Sequence, residues 1–208
     1  MPRVLILLFF LTIGATAERK HPAPKVLAFE DLRETPALSP QREQLIRMAL
    51  AVSRKHRRLP YTFGGATPSD GGFDCSGAMS YVLKKAGFTP PRTSAGQYLW
   101  VRDSGKLHTV SKAARNPSHP SFHDLKPGDL VFWSGTYAPR DGRKVPVTHV
   151  GLYLGTEKSD GRPVIICASR GRSYRRQKGD GFGIYDFRVP SKKSRSKLIA
   201  YGPPPGLE

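Results

Sequence analysis

Acidic residues and cysteine are what this chain has least of. Against 34 Lys and Arg it carries only 16 Asp and Glu, a formal net charge of +18. That imbalance points to anionic surroundings: nucleic acid, a membrane surface or an acidic cell-wall polymer. The 208 residues include two Cys and no CxxC pair, which excludes a disulfide-rich scaffold and a structural zinc site of the usual kind. Internal repeats are missing too. Apolar runs are short after the first residues, which excludes a multi-pass membrane protein. What is present is ordinary for a globular chain: 38% hydrophobic and 10% aromatic residues, with 21 Gly and 19 Pro. A disordered chain or a coiled coil is composed differently. The length suits one domain with short extensions and is enough to bury a real core.

The beginning of the chain reads as an address. Arg3 gives a positive charge, Val4 to Ile13 is almost unbroken apolar sequence, and Ala15-Thr16-Ala17 supplies small residues where a signal peptidase would read them. Residues 1–17 are therefore expected to be a secretory signal, too short at its core for a comfortable membrane span. Export to the periplasm or cell envelope follows, with anionic envelope polymer or membrane as partner rather than nucleic acid. Residues 18–38 are rich in Pro and charge and read as a linker. The domain is expected over 39–203, and 204–208 as a tail. Oligomeric state is open.

Inside the domain, Ser39-Pro40 is a helix start, a capping residue followed by Pro at the first helical position. Leu45, Ala49 and Val52, flanked by Ile46 and Leu50, give a helical stripe to about His56. A second helix is expected from Asp74 or Cys75, with Cys75, Met79, Val82 and Ala86 on one face and Gly87 after its end. Then the pattern turns to strands at Leu130–Trp133, His149–Leu154, Val164–Ala168, Tyr185–Val189 and Leu198–Tyr201. Helices followed by about five short strands, with links too short for crossover helices, define an α+β domain with a mostly antiparallel sheet. Trp100 to Asp124 reads as a long irregular loop, a candidate lid.

The chemistry concentrates at two residues. Cys75 opens a helix, where free N–H groups and the helix dipole favour a thiolate and can hold an oxyanion. His149 begins a strand in which His149, Gly151 and Tyr153 face one way and Val150, Leu152 and Leu154 the other. Gly151 would let a helix end approach the His. The other His are less suited: His21 lies in the linker, His56 at a basic helix end, and the spacing of His119 and His123 is spoiled for a helix by Pro117 and Pro120. No metal or organic cofactor is implied. Two Cys in an exported protein also allow a disulfide, but a Cys75–Cys167 bridge would block the nucleophile. The run from Arg170 to Lys178 and the Lys192–Lys197 segment are basic, either as solvated loops or as attraction to an anionic polymer.

Five motifs in order carry a resemblance: Leu59-Pro60-Tyr61-Thr62-Phe63-Gly64-Gly65, Phe73-Asp74-Cys75-Ser76-Gly77, Pro91-Arg92-Thr93-Ser94, Leu125 to Trp133, and His149 to Gly155. Over Gln41 to Tyr201 the chain resembles the NlpC family of papain-like bacterial cell-wall cysteine peptidases. The resemblance implies a circularly permuted papain-like fold, a Cys-bearing helix packed on the sheet. It implies cleavage of amide bonds in peptidoglycan stem peptides, commonly after D-glutamate or D-isoglutamine. Cys75 would be the nucleophile, His149 the general base and Tyr61 an oxyanion donor, with Asp74, Ser76 and Ser94 lining the substrate pocket. The family's third catalytic position, usually His and sometimes Asn or Gln, falls on Cys167. A neutral thiol is a poor acceptor for an imidazole N–H, so a His149 oriented by backbone or water, a substitute such as Ser169 or Gln177, and a weakened site all stay open. Two other readings stand beside hydrolysis: acyl transfer to an amine or lipid, and non-catalytic binding of anionic wall polymer.

Overall fold

A computed structural model describes residues 26–57 and 59–208. The expected signal segment and the first part of the expected linker lie outside the described residues. Helix α1 spans Pro40–His56, and the Ser39 hydroxyl caps it by accepting from the Arg42 N–H. Helix α2 spans Cys75–Lys85 and α3 spans Ser94–Asp103. The strands are β1 (His108–Thr109), β2 (Leu130–Ser134), β3 (Val147–Thr156), β4 (Pro163–Tyr174), β5 (Gln177–Asp186) and β6 (Lys197–Gly202). They form one sheet in the order β1-β6-β2-β3-β4-β5, and every pairing is antiparallel. This is the α+β, papain-like arrangement, with six strands rather than five because a two-residue β1 pairs with β6 inside the segment read as loop.

The sheet is buried on both faces, so all of β3 but its last residue is out of solvent. One face packs against the helices: Leu45, Ile46 and Ala49 of α1 and Ala78, Met79 and Val82 of α2 meet Val150, Leu152, Leu154 and Ile166. The opposite face carries Val131, Trp133, Tyr153, Ile165, Cys167 and Tyr185. The segment expected to be a lid covers that second face. Phe122 is buried there, edge-on to Phe187 at 5.7 Å. Its first residues, Trp100 to Asp103, belong to α3. The signal for α3 was in the sequence: Thr93 caps it by accepting from the Gly96 N–H.

Three further expectations need correcting. The described part of the linker is packed on the domain, with Leu27, Phe29 and Leu32 buried and Leu32 bridged to Glu157. The apolar residues of this short segment, scattered without period, fill the edge of the helix-side core. The tail is likewise anchored: Leu207 is buried, and the Glu208 carbonyl accepts from the Ser39 hydroxyl and Arg42 Nε. Finally, the basic run after Ala168 is a strand and a hairpin. Tyr174 pairs with Gln177 across a two-residue turn in which Arg175 and Arg176 both have positive φ. Gly or Asn normally occupies such a turn. Here Arg175 is held by Glu157 at 3.1 Å and Asp160 at 3.1 Å. Val189 lies beyond the end of β5.

Candidate active site

The loop before α2 sets the thiol in place. Thr62 N–H donates to the Phe73 carbonyl at 3.0 Å and Asp74 N–H to the Gly65 carbonyl at 2.9 Å, while Tyr61 and Phe73 form a parallel bridge. The loop therefore folds back over the start of the helix. Gly77 makes this possible: a Cβ there would overlap the Gly65 carbonyl oxygen. Asp74 caps α2, one oxygen accepting from the Gly77 N–H at 2.6 Å. The other accepts from Gly64 N–H at 3.0 Å. Arg92 closes the cluster with Nη1 at 3.1 Å and Nη2 at 2.8 Å from the two Asp74 oxygens. It also donates to the Gly64 carbonyl at 2.6 Å and to the Ser76 hydroxyl at 3.1 Å. Both Asp74 oxygens are thus used internally, and Ser76 donates to one of them at 3.2 Å. Ser94 is buried at the first position of α3. Gln97, from the next turn, binds the Ser76 carbonyl at 3.0 Å and the Ser80 hydroxyl at 3.1 Å. Arg92 and Gln97 are site-building residues that reading the chain for nucleophiles and bases did not single out.

Cys75 reaches the sheet where β3 and β4 part. Their ladder pairs run only as far as Leu152 with Ile166. Past that point Sγ sits 4.0 Å from the Thr148 carbonyl, and the Val150 N–H lies where it favours the thiolate. The thiol therefore touches β3 on both sides of His149. No hydrogen bond joins Sγ to the imidazole in this conformation, and Nε2 of His149 is buried without a partner. The ring stands edge-on to Trp133 at 5.4 Å.

The electrostatics depart from the sequence expectation of a ready-made thiolate. Burial, and then the neighbouring Asp74 charge, push the Cys75 thiol up to about 11, against the opposing pull of the Val150, Ser76 and Cys75 N–H groups. The helix terminus is present, but removal of the sulfur from water outweighs it. Burial, and then Arg172, hold His149 well below the ordinary imidazole range. The resting pair is a neutral thiol and a neutral imidazole. Burial also raises the Tyr61 phenol, with Cys75 and Asp74 adding to it, so Tyr61 keeps its proton and can donate.

Cys167 is fully buried on the second face of the sheet. Burial pushes its thiol up to about 12. It pairs with Gly183 of β5, and its Cβ lies 3.1 Å from where a Cβ on Gly151 would be. Gly151 therefore makes room for Cys167, and it is Gly77 that admits the helix end. Cys167 makes no hydrogen bond with His149, so the structure does not give it the role of a third polar partner. Both Cys are free. His119 and His123 have local duties: His119 accepts from the Ser121 N–H at 3.1 Å and His123 lies 3.2 Å from Asp124.

A protonated thiol at a helix start, set into an antiparallel sheet beside a strand-borne His, defines a papain-like α+β protein. The NlpC/P60 family profile matches residues 58–178. The chain belongs to the NlpC/P60 family. It is 33% identical over 136 residues to the "Probable endopeptidase p60" of Listeria welshimeri, covering 65% of this chain and 20% of that protein. It is 37% identical over 101 residues to the "Bifunctional muramidase/DL-endopeptidase CwlT" of Bacillus subtilis (strain 168), covering 49% of this chain and 24% of that protein. The chain thus spans about a fifth to a quarter of these relatives. Among solved structures it is similar to an NLP/P60-family protein of Staphylococcus aureus subsp. aureus Mu50, with 26% identity, 87% of this chain and 43% of that chain covered, and a TM-score of 0.47.

Proposed function

We infer that the chain is an exported cysteine peptidase that hydrolyses amide bonds in peptidoglycan stem peptides. One observation carries this reading: a thiol at a helix N-terminus, lodged against the strand backbone on both sides of a buried, neutral His. Catalytic hydrogen bonds are often long without substrate and tighten in the Michaelis complex. Closure brings the Cys75 proton to His149 as Sγ attacks the amide carbonyl and the S–C bond forms. The Ser76 and Cys75 N–H groups and the Tyr61 hydroxyl hold the oxyanion. His149 passes its proton to the leaving nitrogen, the C–N bond breaks and an acyl-enzyme remains. Water gives a proton to His149, adds to the acyl carbon and releases the carboxylic acid as the thiol is restored. The substrate class rests on the motifs and on relatives that are named endopeptidases. Export rests on residues 1–17, and the +18 charge suits an anionic envelope.

The test is digestion of purified peptidoglycan by the wild-type chain and by Cys75→Ala. Loss of stem-peptide fragments in the variant is expected, by at least about a thousandfold in rate. Unchanged release sinks the reading. A second reading, a wall-polymer binder without catalysis, is favoured by the unpartnered Nε2 of His149. It predicts full peptidoglycan binding by both proteins and no fragments from either.

A further inference from the structure

A second cavity, of about 560 Å³, lies at the outer end of β6. Its walls come from the chain just after β1, the chain just after β5 and the start of β6. Neither Cys75 nor His149 lines it, and it shares only Pro190 with the cleft beside His149. Its base is apolar. Ala114 and Leu198 are buried there, and Val110 and Val189 are left half-buried although both pack against the second core. Its mouth is basic. Lys112, Arg115, Lys192 and Lys197 line it and are all exposed, and the lining contains no Asp or Glu. These residues include the Lys192–Lys197 segment that the reading of the site around Cys75 leaves unused.

Two of the four cations are tied only to backbone. Arg115 donates to the Lys112 and Ala114 carbonyls at 2.6 and 2.7 Å, and Lys197 donates to the Lys192 carbonyl at 2.9 Å. Among the described residues none of the four is in a salt bridge. Gathering like charges around one opening is unfavourable unless an anion enters. A small inorganic anion would answer the charge but leave the apolar base in water. A neutral apolar molecule would cover the base and leave the charge unmatched. We propose that this cavity binds a free single-chain amphiphile with an anionic head, of which a fatty carboxylate is the simplest. The chain lies on Val110, Ala114, Val189 and Leu198, and the head meets Lys112 and Lys192, whose ammonium groups no internal acceptor is shown to hold. Long Lys side chains suit this arrangement, since their stems cover apolar surface while their heads stay at the opening. The volume is that of a small-molecule site. The site does not depend on the thiol chemistry.

The probes are decanoate below its micelle-forming concentration, propionate as the head without the chain, and decanol as the chain without the charge. Binding to the wild-type chain is measured by isothermal titration at physiological salt. One decanoate per chain is expected, at least about tenfold tighter than either fragment, which one charge-assisted hydrogen bond added to apolar burial can supply. Lys112→Gln/Lys192→Gln should weaken decanoate at least about fivefold and leave decanol unchanged. Val189→Trp, which fills the base, should weaken both. Arg54→Gln/Lys55→Gln, which removes two exposed charges at the end of α1, should change neither. Equal affinity for the three probes, no saturable decanoate binding, or an equal loss in the two charge variants overturns the site. Vesicles of phosphatidylglycerol distinguish a bilayer from a free ligand. The Lys112→Gln/Val189→Trp variant should bind them nearly as well as wild type, and a vesicle affinity that falls in step with decanoate overturns the free amphiphile in favour of the membrane surface.

Discussion

The two walls of the site are built differently. On the wall around Cys75 the charged groups are matched: Asp74 caps the helix and holds Arg92, Ser76 sits between them, and Gln97 ties α3 to α2 through its Nε2, with its Oε1 buried without a partner. On the wall around His149, the imidazole Nε2 and the Trp133 Nε1 are buried without partners, and of the cleft-lining Arg170, Arg172, Arg188 and Arg195 only Arg188 pairs with a carboxylate among the described residues. A network that is satisfied within itself holds geometry. One that is not leaves charge and hydrogen-bonding capacity for something else. The first wall is a fixed frame for the Cys75 thiol, and the second carries positive charge that no carboxylate of its own wall matches.

The largest effect that should separate the walls is on stability. Asp74→Ala removes a helix cap and leaves Arg92 without its partner, which should cost about 2–3 kcal/mol. Arg172→Gln, which loses only the stacking of its guanidinium over Trp133, should cost no more than about 1 kcal/mol. Urea denaturation of both variants decides this, and equal losses would erase the contrast.

Next in size is Cys167→Asn. An amide on β4 offers the imidazole the acceptor that a thiol cannot. A gain of about tenfold in kcat is expected, together with an upward shift of the His149 titration followed by NMR. No change in either would mean that Nε2 is served by another group in the substrate complex.

The smallest effect concerns the free thiol. Because burial raises its pKa to about 11, the thiolate fraction at neutral pH is below that of an ordinary cysteine. Alkylation by iodoacetamide without substrate should therefore be slow at pH 7 and climb without a plateau through pH 9. His149 moves the opposite way. Its folded pKa is depressed, so the unfolded chain takes up its proton first, and the stability present above the usual imidazole pKa is lost as pH falls through the folded value. An alkylation plateau near pH 6 would show a resting ion pair and remove the argument from burial.

Much of this was legible along the chain. Ser39-Pro40 and Asp74 announced the two helix starts through local capping chemistry, which needs no distant partner. The alternation of Val150, Leu152 and Leu154 against Tyr153 placed the two faces of β3 correctly. The Arg175–Arg176 hairpin was hidden because its turn lacks the usual Gly or Asn and is held by Glu157 and Asp160, far along the chain. Leu27, Phe29 and Leu32 looked like linker because three apolar residues without period have no local signature.

By itself the sequence determined which residues could carry chemistry, since residue type, helix-start position and strand alternation are local properties. Only the tertiary structure decided their state. Solvent exclusion is a property of the packed whole, and it turned an expected thiolate into a neutral thiol. It also assigned Gly77 rather than Gly151 to the approach of helix and loop. Arg170 and Arg172 of β4 and Arg188 and Arg195 from the chain after β5 line one cleft with His149, and only the closing of the sheet brings them there.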